Sequence, residues 1–213
     1  MQNHKRNYQK ELEKMLKELE TGTKVPTLFL HSCCAPCSSY CLEYLSQYFE
    51  ITVFYYNPNI FPESEYEERI REQERLIEEM NAKHKDEMRY PIHFQKGDYR
   101  PELFFETVKG FEKEPEGGAR CTECFKLRLE ESARLAKEGG YDFVTTTLTI
   151  SPLKDAERLN SIGEEMAERY GIRFLNSDFK KKNGYRRSVE LSKEYDLYRQ
   201  DYCGCVYSKR NID

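Results

Sequence analysis

Cysteine is the residue type in this chain whose spacing points most directly to chemistry. Seven of the eight cysteines lie within three residues of another cysteine. Thiols this close rarely form a good disulfide with each other, but they can converge on a soft metal ion. We therefore predict a metal centre. The eight residues are Cys33, Cys34, Cys37, Cys41, Cys121, Cys124, Cys203 and Cys205.

The number of thiols bears on which metal group they would hold. A single tetrahedral zinc ion needs four ligands, whereas an iron–sulfur cluster with a second metal uses more. Cys41 lies one helical turn beyond Cys37, and we interpret it as a small core residue. Taken alone, Cys33, Cys34 and Cys37 also suit thiol–disulfide exchange, and Cys121 with Cys124 suits half of a zinc ribbon.

A strand and a helix are predicted to position the first cysteine group. Leu28–Leu30 is a short apolar run typical of a buried strand, and it ends just before the cysteines. Ser32 is a candidate N-cap for the helix that follows, and Pro36 suits its first turn. The thiols would then lie at the carboxyl end of a strand, where open α/β sheets bind their ligands.

Strands and helices alternate along the rest of the chain. Further strands are predicted at 51–56, 91–95, 141–147 and 171–175, each separated from the next by a helical pattern. This order indicates a parallel sheet flanked by helices. We predict an N-terminal amphipathic helix within residues 1–24, an α/β metal-binding core at 25–178, and a basic and aromatic C-terminal segment at 179–213 that completes the site.

Composition restricts the setting in which the protein works. Charged residues make up 34% of the chain, and no apolar run is long enough to cross a bilayer. The first residues are charged and do not resemble a signal peptide. We therefore expect a cytoplasmic protein with no membrane partner, in which the cysteines are reduced or bound to metal.

The C-terminal segment has a charge balance of its own. Residues 179–213 carry nine Lys or Arg and five Asp or Glu, whereas the whole chain has a net charge of -4. Basic side chains interleaved with tyrosines can hold phosphates and stack on unpaired bases. The residues predicted to contact nucleic acid are Lys180, Lys181, Arg186, Arg187, Tyr198 and Arg199.

Several ordered blocks of the sequence resemble the QueH-type epoxyqueuosine reductases, and together they span nearly the whole chain beyond the N-terminal helix. The blocks are His31-Ser-Cys-Cys-Ala-Pro-Cys37, Tyr56-Asn-Pro-Asn-Ile60 followed by Glu65-Tyr66, Arg120-Cys-Thr-Glu-Cys124, Thr145–Lys154 and Asp178–Cys205.

The resemblance implies a fold and a reaction. The fold is Rossmann-like, of the nucleotide-hydrolase (HUP-like) type. The reaction is the two-electron reductive deoxygenation of epoxyqueuosine to queuosine at the wobble position of tRNA. The implied cofactors are a 4Fe-4S cluster and a second metal ion, expected to be iron, without cobalamin. An external electron donor is also implied.

The resemblance also implies roles for individual residues. Cys33, Cys34, Cys121 and Cys124 correspond to cluster or metal ligands, and Cys203 and Cys205 to further thiols of the site. Cys37 is a candidate ligand of the second iron.

The sequence does not determine which residue other than cysteine takes part in catalysis. A proton donor or substrate-holding group is needed, and Arg120, Tyr99 and Lys154 are the candidates. Two alternatives to the reductase are a zinc-stapled nucleic-acid-binding module and a thiol–disulfide oxidoreductase.

Overall fold

Five parallel strands form the central sheet of the computed structural model, which describes residues 6–84 and 89–209. Their order across the sheet is β3-β2-β1-β4-β5, and every neighbouring pair is parallel. The predicted Rossmann-like α/β class is confirmed. The strands are β1 at Thr27–Ser32, β2 at Glu50–Tyr55, β3 at Ile92–Lys96, β4 at Phe143–Thr146 and β5 at Arg173–Phe174.

Helices connect the strands and cover the sheet. They are α1 at Tyr8–Glu20, α2 at Ala35–Leu45, α3 at Glu63–His84, α4 at Pro101–Thr107, α5 at Ala119–Glu138, α6 at Ala156–Tyr170 and α7 at Gly184–Glu194.

Both faces of the sheet are buried. In β1, Leu28 and Leu30 pack into a core shared with α1, α2, α3 and α7, while Phe29 packs into a second core shared with α5 and α6. Successive side chains of a strand point to opposite faces, so one strand serves both cores. Because both faces are buried, the consecutive residues 28–30 of β1 are all apolar.

The strand order creates a switch point at the centre of the sheet. From β1 the chain proceeds to β2 and β3 on one side, and β4 and β5 then continue on the other side. The connections that leave β1 and β4 therefore diverge, and the crevice between them is where such sheets bind ligands. The first cysteine group directly follows β1 and therefore lies at this crevice.

The two terminal segments pack on the same face of the core. Leu12 and Leu16 of α1 are buried in it, and so is Leu191 of α7. The division at 1–24, 25–178 and 179–213 stays a prediction, and residues 1–5 and 210–213 lie outside the described part of the chain. Within the described residues, no helix is long and apolar enough to cross a membrane.

Candidate metal centre

The turn from β1 into α2 gathers three thiols. The Sγ atoms of Cys33, Cys34 and Cys37 all lie within 4.8 Å of one another, and those of Cys33 and Cys34 are 3.8 Å apart. Proline stands in the first turn of α2 as predicted, but the N-cap is Cys34. The prediction of Ser32 as N-cap is wrong, because Ser32 ends β1 and donates its hydroxyl to Gln73.

The three thiols do not ionise independently. The pKa of Cys34 is lowered well below that of a free thiol, because the thiols of Cys33 and Cys37 hydrogen-bond to its thiolate and the positive charge of Arg69 attracts it. The hydrogen bond to Cys34 raises the pKa of Cys33, and the hydrogen bonds to Cys33 and Cys34 raise the pKa of Cys37. One thiolate therefore forms first, and it is the form that binds a metal.

A second set of four thiols lines a small cavity of about 90 Å³. Cys121 and Cys124 lie on the first turn and a half of α5, and Cys203 and Cys205 approach from the segment after α7. Burial raises the pKa of Cys124 to about 12, so this thiol stays protonated until a metal displaces the proton.

Contacts with α3 and with the loop between β2 and α3 hold the C-terminal cysteines in place. The buried guanidinium of Arg69 donates to the backbone carbonyls of Cys203 and Tyr202, at 3.4 and 3.5 Å. Gly204 has φ +97°, and a Cβ there would come within 2.7 Å of Ile60. Cys203-Gly-Cys205 therefore needs its glycine both for the backbone angle and for the close approach.

The two sets of thiols belong to one continuous region. A second cavity of about 390 Å³ is lined by Cys33, Cys34 and Cys37. Cys203, Leu153 and Lys154 line both cavities and therefore form their common wall. All seven cysteines predicted as metal ligands line one or the other cavity, whereas Cys41 is fully buried in the core below α2.

Arg128 and Lys154 are two of the cationic side chains that line the cavities of these thiols. Burial lowers the pKa of Arg128, but the thiols of Cys124, Cys203, Cys33 and Cys121 outweigh it, and the net shift is upward. The thiol of Cys203 raises the pKa of Lys154 and outweighs its burial. A group of thiolates carries negative charge, and these two cations would stabilise it.

Sequence reasoning missed Arg128, although a signal was present. Arg128 lies four residues after Cys124 and seven after Cys121 on α5, so all three share one helix face. It is 1% exposed, and a buried arginine needs a negative partner.

Of the three candidate catalytic residues other than cysteine, the structure brings Lys154 and Arg120 to the thiols. Arg120 lines the small cavity, and its Nη1 donates to backbone carbonyls of the loop before α5, including Glu112 at 2.9 Å. Tyr99 lines neither cavity, and its hydroxyl donates to the Ile60 carbonyl at 2.9 Å. A catalytic role for any of the three residues stays a prediction.

The six residues predicted to contact nucleic acid are spread around the C-terminal segment. Arg199 lines the larger cavity, next to Tyr185 and Tyr202. Lys181 is exposed on the loop before α7. The remaining four have acidic partners: Lys180 pairs with Asp178, Arg186 with Glu190, Arg187 with Glu43 and Glu194, and Tyr198 with Glu65.

His31, the residue two positions before Cys33, is a structural histidine of the switch point. It is fully buried, with Nε2 3.1 Å from the Tyr56 carbonyl and Nδ1 2.9 Å from the Thr146 hydroxyl. Since a carbonyl only accepts, Nε2 carries the proton and Nδ1 accepts from Thr146. Burial and the charge of Arg128 lower the pKa of His31 to about 3.

This histidine should make folding stability depend on pH. Its pKa is about 3 in the folded chain, against about 6.5 when unfolded, so between these values the unfolded state binds more protons. Stability should therefore fall as the pH falls below 6.5. We expect urea unfolding to show about 2 kcal/mol more loss from pH 7 to pH 5 in the wild type than in His31→Gln.

The His31→Gln variant is a suitable reference because glutamine keeps one donor and one acceptor but does not titrate. Effects of acid on a bound metal are common to both proteins and cancel in the comparison. An equal pH dependence in the two proteins would contradict the assignment of a neutral, buried His31.

The fold and the thiols together define a class: a Rossmann-like α/β protein whose switch point is positioned to hold a metal. Comparison with known proteins identifies the family. The profile described as epoxyqueuosine reductase QueH matches residues 28–211. The chain therefore belongs to the epoxyqueuosine reductase QueH family, which is a family of oxidoreductases.

Individual relatives agree with this assignment. The epoxyqueuosine reductase QueH of Streptococcus pyogenes is 45% identical over 98% of this chain and 80% of its own length. The protein of the same name from Staphylococcus epidermidis is 43% identical over the whole chain and 90% of its own length. The one from Thermotoga maritima is 35% identical over 85% of this chain and 90% of its own.

Proposed function

We propose that this protein reduces epoxyqueuosine to queuosine at the wobble position of tRNA. In this reaction both carbon–oxygen bonds of the epoxide break and a carbon–carbon double bond forms. Two electrons and two protons enter, and the oxygen leaves as water. An external donor supplies the electrons, and we place the reaction in the cytoplasm without cobalamin.

The observation that carries this proposal is the convergence of seven thiols on two adjoining cavities at the switch point of the sheet. A redox metal group needs many soft ligands, and two cations nearby offset the charge of its thiolates. The chemistry of this donor set fits an iron–sulfur cluster with an iron beside it. Membership of the epoxyqueuosine reductase QueH family supports the same proposal.

The proposed ligands are those that the family resemblance implies. Cys33, Cys34, Cys121 and Cys124 would be ligands of the cluster or of the second metal, and Cys37 would be a ligand of the second iron. Cys203 and Cys205 are the further thiols of the site. When bound, the cluster supplies electrons one at a time and the iron acts as a Lewis acid.

Lys154 is the residue that we propose as proton donor. It lies in the common wall of the two cavities, and the thiols of Cys203, Cys33 and Cys37 keep its Nζ protonated. Of the three candidates, Tyr99 donates its hydroxyl to the Ile60 carbonyl, and an arginine such as Arg120 does not release its proton in proteins. We therefore propose that Arg120 orders the loop before α5 and holds the site in shape.

The larger cavity is the proposed binding place of the modified nucleoside. Tyr185 and Tyr202 offer aromatic faces, and Arg199 offers a positive charge at the same wall. Unpaired bases of RNA loops stack on such side chains, and arginine contacts the phosphates beside them. Lys181 would extend this contact along the RNA backbone, with Lys180, Arg186, Arg187 and Tyr198 as further proposed contacts.

Arg199 should contribute to tRNA binding measurably. We expect Arg199→Ala to weaken binding several-fold and to reduce the slope of log K against log salt by about one, because one phosphate contact is lost. The measurement is a titration of labelled tRNA at several salt concentrations. Arg169→Ala, on the far end of α6, is the matched control; equal slopes in the two variants would contradict the assignment.

The reaction itself can be tested directly. Anaerobically purified protein is incubated with dithionite and tRNA that carries epoxyqueuosine, and the nucleosides are then analysed by mass spectrometry. We expect a product that has lost one oxygen atom. Unchanged epoxyqueuosine with metal-loaded, reduced protein would overturn the proposal.

A further inference from the structure

The small cavity between α5 and the C-terminal cysteines contains hydrogen-bond donors that have no acceptor. Asn59, Arg120 and Arg128 all line it, together with four thiols. Within the described chain, the Asn59 amide, Nε of Arg120 and Nη2 of Arg128 are buried without a partner. The three residues are only 1%, 2% and 1% exposed.

Several unpaired polar groups around one cavity indicate that a hydrogen-bond acceptor binds there. About nine in ten buried polar groups are hydrogen-bonded, and each unpaired one destabilises the folded protein. Three unpaired N–H groups on residues that line one cavity of about 90 Å³ therefore indicate an electron-rich acceptor inside it. Neutral thiols accept hydrogen bonds only weakly.

Other N–H groups of both guanidinium groups are already engaged. Nε of Arg128 donates to the Cys124 carbonyl and Nη1 to the Asn57 side chain, both at 3.3 Å. Nη1 of Arg120 donates to the Glu112 carbonyl at 2.9 Å. The free N–H groups are consequently fixed in position before any ligand binds, which lowers the entropic cost of using them.

We propose that Asn59, Arg120 and Arg128 donate hydrogen bonds to the sulfur atoms of the metal–sulfur cluster in this cavity and thereby raise its reduction potential. This inference rests on the proposed function. Reduction adds negative charge to the cluster, and donors to sulfur stabilise the reduced form more than the oxidised form. The three residues are positioning residues, since they act through the cluster.

Asn59 gives the cleanest test because its amide has no partner for either its oxygen or its nitrogen. Asn59→Leu removes both while keeping a similar size. In the metal-free protein this change should leave thermal stability unchanged or higher, since an unpaired polar group is lost. In the holoprotein, the equilibrium constant for one-electron reduction should fall about tenfold, a shift of about 59 mV to lower potential.

The experiment is a spectroscopic redox titration of anaerobically purified holoprotein. Ser46→Ala is the matched control, because the Ser46 hydroxyl is also buried and unpaired but lines neither cysteine cavity. Asn59→Ala is the second variant, since it cannot clash with a cluster if leucine prevents its assembly. A lower potential in an Asn59 variant, with no change in Ser46→Ala, would support the inference.

Iron and acid-labile sulfide are counted in every sample before the titration. If a cluster is present and the potential of both Asn59 variants equals that of the wild type, the inference is overturned and the proposed function stands. If the wild type contains no sulfide, the proposed cluster is overturned, and the inference with it.

Discussion

Cys33→Ala is expected to lose bound iron and reductase activity together. Its Sγ lies 3.8 Å from that of Cys34 and within 4.8 Å of that of Cys37, so its removal breaks the first group of ligands. Changes in the partners of metal ligands already cost about 10–100-fold in affinity or activity, and losing a ligand itself should cost more than about 100-fold. Iron analysis and the tRNA assay measure the two losses.

Cys41→Ala is the control that separates ligand loss from damage to the fold. Cys41 follows Cys37 by one turn of α2, is fully buried, and lies in the core away from the cavities. The change should lower stability by about 1 kcal/mol and leave iron content and activity close to those of the wild type. Full activity in Cys33→Ala would contradict the assignment of Cys33 as a metal ligand.

Lys154→Met should lower the rate of the reaction by about 100- to 10,000-fold, the usual contribution of a general acid. Lys154 lines both cavities and is held protonated by the surrounding thiols. Because it is not a proposed ligand, iron and sulfide content should persist. Single-turnover assays with pre-reduced protein measure the chemical step apart from electron delivery.

The Lys154→Arg variant distinguishes a proton donor from a fixed charge. Arginine keeps the positive charge beside Cys203 but does not release its proton in proteins. We expect it to be nearly as slow as Lys154→Met. If Lys154→Arg were as fast as the wild type, the proposed role as proton donor would be wrong and only the charge would matter.

The sequence predicted most reliably what depends on neighbours along the chain. The strand that ends at Ser32, the helix that begins after Cys34 and the clustering of the thiols are all local patterns. The parallel sheet followed from the alternation of strands and helices, since parallel strands need a crossover connection. Helix α7 was less clear, because its tyrosine and its basic residues suit either a buried face or a nucleic-acid contact.

Residues whose role depends on tertiary placement were not found this way. Asn59 and Arg69 lie far along the chain from the cysteines whose cavities they line, and they meet them only when the loop after β2, α3, α5 and the C-terminal segment are packed together. Tyr99 shows the reverse case. It was a candidate from the sequence, but it follows β3, which is at the edge of the sheet and is separated from β4 and the switch point by β2 and β1.

The central claim is that the seven thiols hold an iron–sulfur cluster and an additional iron. It is tested most directly by counting iron, zinc and acid-labile sulfide in protein purified without oxygen, with the visible spectrum recorded before and after dithionite. We predict about four sulfides and about five irons per chain, with visible absorption that bleaches on reduction. Zinc without sulfide, and no visible absorption, would contradict the claim and favour a zinc-stapled nucleic-acid-binding module.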